Sequence, residues 1–429
     1  MGSLWSYFTD PVLQAPTLAS MLMCLSSALI GVVVVLRRRS LLGEALSHAT
    51  YPGVVISVLF SSFFSEGMAL LILLGAFLSS CVGLFVINRL ERSYKVKADA
   101  ALSFVIALFF GVGVLIASRI QFTHALWYKA VQIFLYGQVA TMVGVHVVIY
   151  GIFALLIIGV LCACFHPIRM GIFDRDFSKS IGLPLGWVEV LLSLLLSLAI
   201  VIGIRSVGVV LMAGMLIAPA IGARQFSHSL SSVFVIAACM GAVSGFLGNY
   251  FSMQIPLWTA PEHPFSLPTG PMILLCSTAL CLASLLFAPE RGLLSRFFRI
   301  LRFRRQCREE NALKYLWRQK KNPQERGGVL PTYFLLRRLK RQGWVEILPD
   351  KTPRLSKDGM LRATKIVRFH RLWEAYLVFL GQGIEKVHRS AEEMEHIITP
   401  ELEQKLTDLL GDPRKDPHEQ PIPPKEETL

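Results

Sequence analysis

Apolar runs of membrane-spanning length recur along the first two thirds of this chain, and they stop after Arg291. A helix needs about 20 mostly apolar residues to cross the hydrocarbon layer of a bilayer. We predict nine spans, at about 16–36, 44–61, 67–88, 99–118, 142–165, 186–204, 207–222, 232–250 and 270–288. The fold class that follows is an α-helical polytopic membrane protein. The two spans around Arg205 could instead form one re-entrant unit.

Basic residues gather at alternate ends of these spans, which predicts the orientation of the chain. The basic ends hold Arg37, Arg38, Arg39, Arg89, Arg92, Lys95, Lys97, Arg169, Arg175, Lys179, Arg224, Arg291, Arg296 and Arg299. Because positive loops stay inside, we expect a periplasmic N-terminus and a cytoplasmic C-terminus in a bacterial inner membrane. Small residues within the spans, as in GAFLSS and MGAVSGFLG, predict close helix packing.

The last third of the chain is charged and predicts separate domains. We place boundaries at 1–290 for the membrane domain, 291–308 for a basic amphipathic linker, 309–355 for a winged helix-turn-helix-like region and 356–429 for the remainder. The linker alternates Arg with Phe, Leu and Ile, which suits a helix on the inner leaflet or a stop-transfer flank. In the winged region, helical patterns precede the strand-like WVEIL and the turn PDKTPR.

Ligand-type side chains are concentrated in the stretch VHRSAEEMEH. His388, Glu392, Glu395 and His396 project from one stripe of a helix, and His370 and Glu374 repeat the i, i+4 spacing on the helix before it. A carboxylate-rich and sulfur-free set favours Mn²⁺ or Fe²⁺ over copper(I), and Zn²⁺ is also compatible. The alternative is a solvated acidic helix face.

This part of the chain resembles the diphtheria-toxin repressor family of metal-dependent regulators. The resemblance rests on HRLWEAYLVFLGQGIEKVHRSAEEMEHIITPELEQKL followed by GDPRKDPHEQPIP. It implies that 356–429 is a metal-binding and dimerisation region with two metal sites. By position, the ancillary site is His370, Glu374 and His388, and the primary site is Glu392, Glu395 and His396. A glutamate at position 392 is typical of the manganese-responsive members.

The sequence departs from that family in two places. Family members supply further ligands from their first helix at positions that fall near Lys314 and Trp317, and neither of these can coordinate a metal. The segment before the candidate recognition helix is shortened to KNPQERGGVL, which leaves the first helix of the DNA-reading motif in question.

A basic helix in PTYFLLRRLKRQG is the candidate for DNA recognition. The residues that could contact phosphates and base edges of operator DNA are Thr332, Tyr333, Arg337, Arg338, Lys340 and Arg341. The alternative is a basic helix that faces acidic lipid. Family members bind operators as dimers.

Glu44 and His48 form an i, i+4 pair at the start of the second span. Ionisable groups in a membrane are costly and usually face a partner or an aqueous path. The pair is therefore either a buried hydrogen bond between helices or a transient cation site on a permeation path.

The membrane part resembles the ABC-type importer permeases for manganese, zinc and iron. The matching blocks are RRRSLLGEALSHATYPGV, KADAALSFVIALFFGVGVLIAS and VGVVLMAGMLIAPAIGAR, the last with Pro219. The resemblance implies an ABC ATPase subunit, a second permease subunit (the same chain or a paralogue) and a periplasmic metal-binding protein. It places the ATPase contact in the 166–188 loop, with Phe173, Asp174, Asp176, Ser178, Gly182 and Leu183.

No phosphate loop of the form G-x-x-x-x-G-K-[ST] occurs in the sequence, so we expect a separate subunit to hydrolyse ATP and this chain not to be an enzyme. Three hypotheses follow. The chain is a metal importer permease fused to a metal-dependent repressor released by proteolysis near 300–312, or the same permease with a regulatory tail that reads no DNA. A siderophore-type permease is the third, disfavoured by Glu44 and His48.

Overall fold

The computed structural model describes residues 5–60, 68–123, 134, 137, 139–209, 211–259, 267–321, 331–350 and 352–425. The chain divides into two compact units, Met1–Ser295 and Arg296–Leu429. Each unit has its own buried apolar core.

Within the residues that the structure describes, the first unit contains only helical secondary structure. Its helices are α1 (Ser6–Thr9), α2 (Pro11–Leu36), α3 (Leu41–Phe60), α4 (Met68–Arg92), α5 (Ala98–Thr123), α6 (Gly144–Ala163), α7 (Phe165–Phe173), α8 (Arg175–Ser180), α9 (Leu185–Val207), α10 (Met212–Phe226), α11 (Leu230–Thr259) and α12 (Thr269–Phe287), with a 3₁₀ turn at Val139–Thr141.

Seven of these helices are long and apolar enough to cross a membrane, counted over the described ranges. They are α2, α4, α5, α6, α9, α11 and α12, and each corresponds to a predicted span. The other two predicted spans, 44–61 and 207–222, form α3 and α10. Helix α3 is made less apolar by Glu44 and His48, and α10 has only 15 residues. The nine predicted spans are therefore nine helices, of which seven have full spanning character.

Small residues bring α2 and α11 into close contact. A Cβ added at Gly241 would lie 2.6 Å from the carbonyl oxygen of Cys24, and one added at Gly245 would lie 2.7 Å from that of Ser20. One turn further, Asn249 Nδ2 donates to Thr17 Oγ1 at 2.7 Å. Backbones this close tolerate no larger side chain, which is the packing that the small-residue pattern predicts.

The second unit is mostly helical, with one hairpin. Its elements are α13 (Leu293–Lys321), which begins just before the unit boundary, α14 (Tyr333–Arg341), β1 (Val345–Ile347), β2 (Pro353–Leu355), α15 (Lys357–Phe379), α16 (Ile384–Met394) and α17 (Pro400–Leu409). The strands pair antiparallel, with Val345 opposite Leu355. Ser356 caps α15 by accepting a hydrogen bond from the backbone N–H of Gly359 at 3.0 Å.

The core of this unit is formed by apolar faces of α13, α14, the hairpin and α15. Its buried members are Ala312, Leu313, Leu316, Trp317, Leu339, Val345, Leu355, Ala363 and Val367. Helix, hairpin and long helix follow in the order expected for a winged region. The shortened segment KNPQERGGVL begins with Lys321, the last residue of α13, and its remaining residues, 322–330, lie outside the described residues.

Two features of this unit differ from the sequence-based expectations. The predicted linker and the first helix of the tail form one continuous helix, α13, so the 300–312 segment that we considered for cleavage is helical. A helix at Pro400–Leu409 was not predicted. Its N-terminus carries clear signals, because Thr399 accepts from the backbone N–H of Leu402 at 3.3 Å and Pro400 occupies the first helical turn.

Candidate metal centre and other functional surfaces

Three ligand-type side chains converge where α15 and α16 pack together. His370 and Glu374 lie one turn apart on α15, and His388 extends from α16. Glu374 Oε1 lies 3.1 Å from His370 Nε2 and 2.7 Å from His388 Nδ1, and the two ring nitrogens are 3.1 Å apart. Their ligand atoms all lie within 4.8 Å of one another.

Burial and hydrogen bonding set the charge of this cluster. His370 and Glu374 are buried, whereas His388 is exposed. Burial alone would raise the pKa of Glu374, but hydrogen bonds from His370 and His388 outweigh it and lower that pKa to about 2. Burial also opposes charge on His370, yet its hydrogen bonds to Glu374 and Glu395 raise its pKa above the ordinary value. The cluster is therefore an ionised carboxylate between two imidazoles, and the pKa of the buried one, His370, is raised.

Two imidazoles and a carboxylate are a donor set that first-row divalent metals accept. The close approach of two ring nitrogens to one carboxylate oxygen is unfavourable unless a proton or a metal ion lies among them. The residues present therefore fit a divalent cation, with His370, Glu374 and His388 as its ligands. Across the described parts of the chain, this is the one group of three or more such side chains near enough to share an ion.

The three residues predicted for the primary site face different partners. Glu395 is buried, and its Oε2 lies 2.6 Å from Lys314 Nζ and 2.5 Å from His370 Nδ1. His396 Nδ1 lies 2.7 Å from Oε2 of Glu310. Glu392 is exposed, with Oε1 3.7 Å from Nε2 of His388. The structure brings two of these residues near each other, because Glu395 Oε1 and His396 Nε2 are 3.7 Å apart.

Sequence reasoning missed two residues of this region as functional, Lys314 and Glu310. Lys314 is buried on α13, and its ammonium group contacts both Glu395 and His370. A signal was present, since Glu310, Lys314 and Trp317 are spaced i, i+4, i+7 on the apolar side of that helix. A charged residue on a buried stripe requires a partner.

The segment after α16 also contacts α15, through two arginines of that helix. Arg368 is buried and donates to Glu403 on α17 at 2.9 Å and to the carbonyl oxygen of Pro423 at 2.6 Å. Arg371 contacts Pro421 and lies 3.3 Å from Asp416. The GDPRKDPHEQPIP sequence therefore fastens the helix that carries His370 and Glu374.

The candidate DNA-contacting residues lie on or beside α14. Those that are exposed are Thr332, Tyr333, Arg337, Lys340 and Arg341. Arg338 is placed differently, because it is half-buried and its Nε lies 2.9 Å from Oε1 of Glu309 on α13. The exposed set is basic and lies next to the hairpin, whereas Arg338 joins two helices of the unit.

Glu44 and His48 occupy successive turns of α3, which packs against α4 and α5. Nδ1 of His48 is buried and has no hydrogen-bond partner in the described part of the chain. The His48 ring lies edge-on to Phe110, with ring centroids 4.9 Å apart. Neither side chain is fully buried.

The predicted ATPase contact falls on the two short helices α7 and α8. Asp174 caps α8 by accepting from the backbone N–H of Phe177 at 2.9 Å, and Ser178 is buried against the carbonyl of Asp174. Asp176 is exposed and lies 3.4 Å from Lys179. Gly182 has φ of 81° and ends the turn before Leu183.

Large apolar side chains stand exposed on this same segment. The exposed fractions are 74% for Phe173, 51% for Phe177 and 55% for Ile181. Phe177 and Ile181 lie within the short amphipathic segment that the sequence predicts for the ATPase contact, although they were not among the individual residues predicted there. Arg175 ties the segment to α9 through a 2.7 Å ion pair with Glu189, which also lies 3.7 Å from Arg92 of α4.

Comparison with known proteins gives two family matches. Residues 9–288 match the ABC 3 transport family, and residues 356–424 match the metal binding and dimerisation domain of iron dependent repressors. A "Probable metal transport system membrane protein" of Chlamydia trachomatis is 36% identical, with 97% of each chain covered. The "Manganese transport system membrane protein MntC" of Bacillus subtilis is 32% identical over 88% of this chain and 86% of its own.

Among solved structures, PsaBC of Streptococcus pneumoniae in complex with a Fab has a similar fold. It covers 69% of this chain and 98% of its own, with a TM-score of 0.57 and 22% identity. The fold of the first unit is therefore shared with that protein.

Proposed function

The chain belongs to the ABC 3 transport family and is a metal-transporter permease that carries an iron-dependent-repressor-type domain, and from this premise we propose how its two parts work together. The permease admits divalent manganese, iron or zinc through a bacterial inner membrane, and the cytoplasmic C-terminal unit binds the same class of ion. The observation that carries this proposal is the convergence of His370, Glu374 and His388 in a chain whose relatives are named metal transport proteins.

The transport step is proposed to use Glu44 and His48. The buried, unpartnered Nδ1 of His48 supports this role, because a buried ring nitrogen without a hydrogen bond is costly unless it serves a passing cation. Two ligand types give weak coordination, which lets the ion leave again. The double variant Glu44→Gln, His48→Gln should abolish manganese uptake into cells that carry the complete importer. Uptake at the wild-type rate would reject this path.

ATP hydrolysis is assigned to a separate subunit, which docks on Phe173 to Leu185. A second permease subunit and a periplasmic metal-binding protein complete the importer. Exposed aromatic side chains on a capped and anchored segment support the docking role, since hydrophobic anchors dominate protein interfaces.

Metal sensing by the tail is tested most simply through Glu374. In the Glu374→Gln variant the carboxylate ligand is lost while the shape of the side chain is kept, so the tail should lose its ion. Equilibrium dialysis of the full chain against Mn²⁺ should show one ion fewer per chain than in wild type. The exposed Glu419→Gln variant serves as the matched control. An unchanged ion count would remove the basis for sensing.

The sensed ion is proposed to control DNA binding by a dimer of tails through α14 and the hairpin. The five exposed polar and basic residues on α14 support operator contact, and phosphate contacts make such binding salt-dependent. Gel shifts of the full chain in nanodiscs with the promoter of its own operon should require Mn²⁺ and weaken with salt. Arg337→Gln, Lys340→Gln should remove the shift.

A second candidate function is regulation of transport or docking without DNA. The Arg338–Glu309 ion pair favours it, because one basic residue of the recognition helix is used inside the unit. The two candidates separate in the gel-shift experiment: metal bound without any shift supports the second.

If the tail acts on genes, release from the membrane would let it search the chromosome. Residues 300–312 lie within α13, so cleavage there requires local unwinding. Immunoblots with an antibody to the C-terminus should then show a soluble fragment, and full-length chain alone in the membrane fraction would reject release.

A further inference from the structure

Lys314 lies near a position where the resemblance to metal-dependent repressors predicts a metal ligand, and its ammonium group contacts Glu395 of the predicted primary site and His370 of the predicted ancillary site. Nζ of Lys314, Oε2 of Glu395 and Nδ1 of His370 form a triangle with sides of 2.6, 3.1 and 2.5 Å. All three side chains are buried. A lysine is an expensive residue to bury unless its charge is matched.

We propose that the Lys314 ammonium is a built-in cation that takes the place of the primary metal ion, so that each tail binds a single divalent ion, at His370, Glu374 and His388. This inference rests on the proposed metal sensing and sharpens it. Glu395 then acts as a positioning residue for His370 and is not a ligand.

The count of buried charges supports a single ion. Three buried carboxylates surround the two predicted sites, those of Glu310, Glu374 and Glu395. Lys314 lies against Glu395 and Arg362 lies against Glu310, so two of these carboxylates already face a cationic side chain and the carboxylate of Glu374 remains for one divalent cation. A second divalent ion would leave an excess of positive charge in a buried region, to which Arg362 already adds a charge 3.4 Å from Glu310.

The hydrogen bonds assign complementary roles to the two nitrogens of His370. Nδ1 donates to the carboxylate of Glu395 at a short distance, which leaves the Nε2 lone pair to face Glu374 and His388 once the Nε2 proton is lost. A carboxylate behind a metal-binding imidazole fixes its tautomer and raises its basicity, and loss of such a partner costs about 10- to 100-fold in metal affinity.

A second ion at the predicted primary site would have to bind the two buried atoms there that have no hydrogen-bond partner among the described residues. Glu395 Oε1 and His396 Nε2 face each other at 3.7 Å, and neither has a hydrogen-bond partner within the residues that the structure describes. They provide only two donor atoms, and an ion held there would share one carboxylate with the ammonium group of Lys314. Repulsion between the two cations therefore disfavours occupancy.

The proposal is tested by counting Mn²⁺ bound to the full chain in nanodiscs, using equilibrium dialysis and elemental analysis. His388→Ala should lower the count by one per chain. Glu395→Gln, His396→Gln should leave the count at saturation unchanged and weaken affinity by about 10- to 100-fold. A count lowered by one ion in that double variant would overturn the inference while sparing metal sensing. No loss in His388→Ala would overturn both.

A second, independent test is a variant that should bind one more Mn²⁺ than wild type. Lys314→Gln removes the charge and keeps a polar side chain, so it should raise the count by one ion per chain at the same free Mn²⁺. The extra ion should disappear when Glu395→Gln is added. The exposed Lys405→Gln is the matched control and should bind as wild type. A purely structural role for Lys314 predicts no gained ion, and an unchanged count in a folded Lys314→Gln protein would overturn the inference.

Discussion

His370 connects two groups of side chains through its two ring nitrogens. One nitrogen faces Glu374 and His388, and the other faces Glu395 and Lys314. The contact of Nδ1 with Glu395 therefore fixes the orientation of the ring to which a proton or a metal ion binds at Nε2. His370 therefore belongs to the predicted ancillary site through Nε2, while its Nδ1 occupies the carboxylate of Glu395 from the predicted primary site.

The raised pKa of His370 predicts the pH dependence of stability in the metal-free chain. A group whose pKa is higher in the folded state than its ordinary value of 6.5 stabilises the fold fully below that value and loses this contribution as pH rises through the raised pKa. The melting temperature of the C-terminal unit should therefore fall in chelator as the pH rises above about 6.5 and through the raised pKa of His370. Differential scanning fluorimetry of the full chain measures it.

Saturating Mn²⁺ should remove most of that fall, because the metal ion replaces the proton on the ring. The exposed His418→Gln variant should keep the wild-type pH profile, whereas His370→Gln should flatten it. A melting temperature of the metal-free wild type that rises or stays constant over this range would contradict the assignment of charge to His370.

At the residue scale, the sequence was informative about residue types and less so about partners. Spacing on two helices and the family resemblance gathered the six candidate ligands, and three of them converge in the structure. Of the other three, Glu395 faces Lys314 and His396 faces Glu310, and both of these partners lie on α13, more than 50 positions away. Spacing along one helix carries no information on such contacts.

Helix α15 is the element on which the metal cluster depends, and it is held by a buried ion pair. Arg368 joins it to Glu403 on α17 and to the backbone at Pro423. Removing one partner of a buried pair leaves an uncompensated charge, which costs about 3–5 kcal/mol.

We therefore expect Arg368→Met to destabilise the C-terminal unit by about 3–5 kcal/mol, measured by chemical denaturation followed through tryptophan fluorescence. The double variant Arg368→Met, Glu403→Leu should recover part of the loss, because both charges are then absent. The exposed Arg389→Met variant should behave as wild type. A loss below about 1 kcal/mol in Arg368→Met would show that the pair does not hold the helix.

The short helices α7 and α8 make a second prediction at this scale. Replacing Phe173, Phe177 and Ile181 by serine removes the exposed apolar surface without disturbing the Asp174 cap. ATP hydrolysis by the assembled importer should no longer respond to metal-loaded binding protein, while the variant chain stays in the membrane. Arg169→Gln on the same segment is the control. Retained stimulation would place the ATPase contact elsewhere.

The long elements, the helix in PTYFLLRRLKRQG and the hairpin after it were predictable, whereas two details of the short helices were not. Seven full spans and the long helix of the tail follow from sustained apolar runs or helical periodicity. Helix α17 was missed although Thr399 and Pro400 mark its start, and the split into α7 and α8 depends on one capping aspartate. Helices α3 and α10 fall short of full spanning character because α3 contains Glu44 and His48 and α10 has only 15 residues. A hydropathy pattern averaged over a window does not show either feature.

The whole molecule consists of two compact units in one polypeptide. The first unit belongs to a transport family, and the second matches a metal-binding domain of repressors. A chlamydial relative is similar over 97% of both chains, so this combination is shared by at least one other protein. Joining the two fixes their ratio at one repressor-type domain for each permease domain.

In the proposal above, the tail coordinates one divalent ion through the imidazoles of His370 and His388 and the carboxylate of Glu374. X-ray absorption at the manganese edge, on the full chain in nanodiscs loaded with one equivalent of Mn²⁺, tests it most directly. The account predicts the outer-shell scattering of two imidazole rings for wild type and of one ring for His388→Ala. Coordination by oxygen alone, or an identical imidazole signal in both proteins, would contradict it.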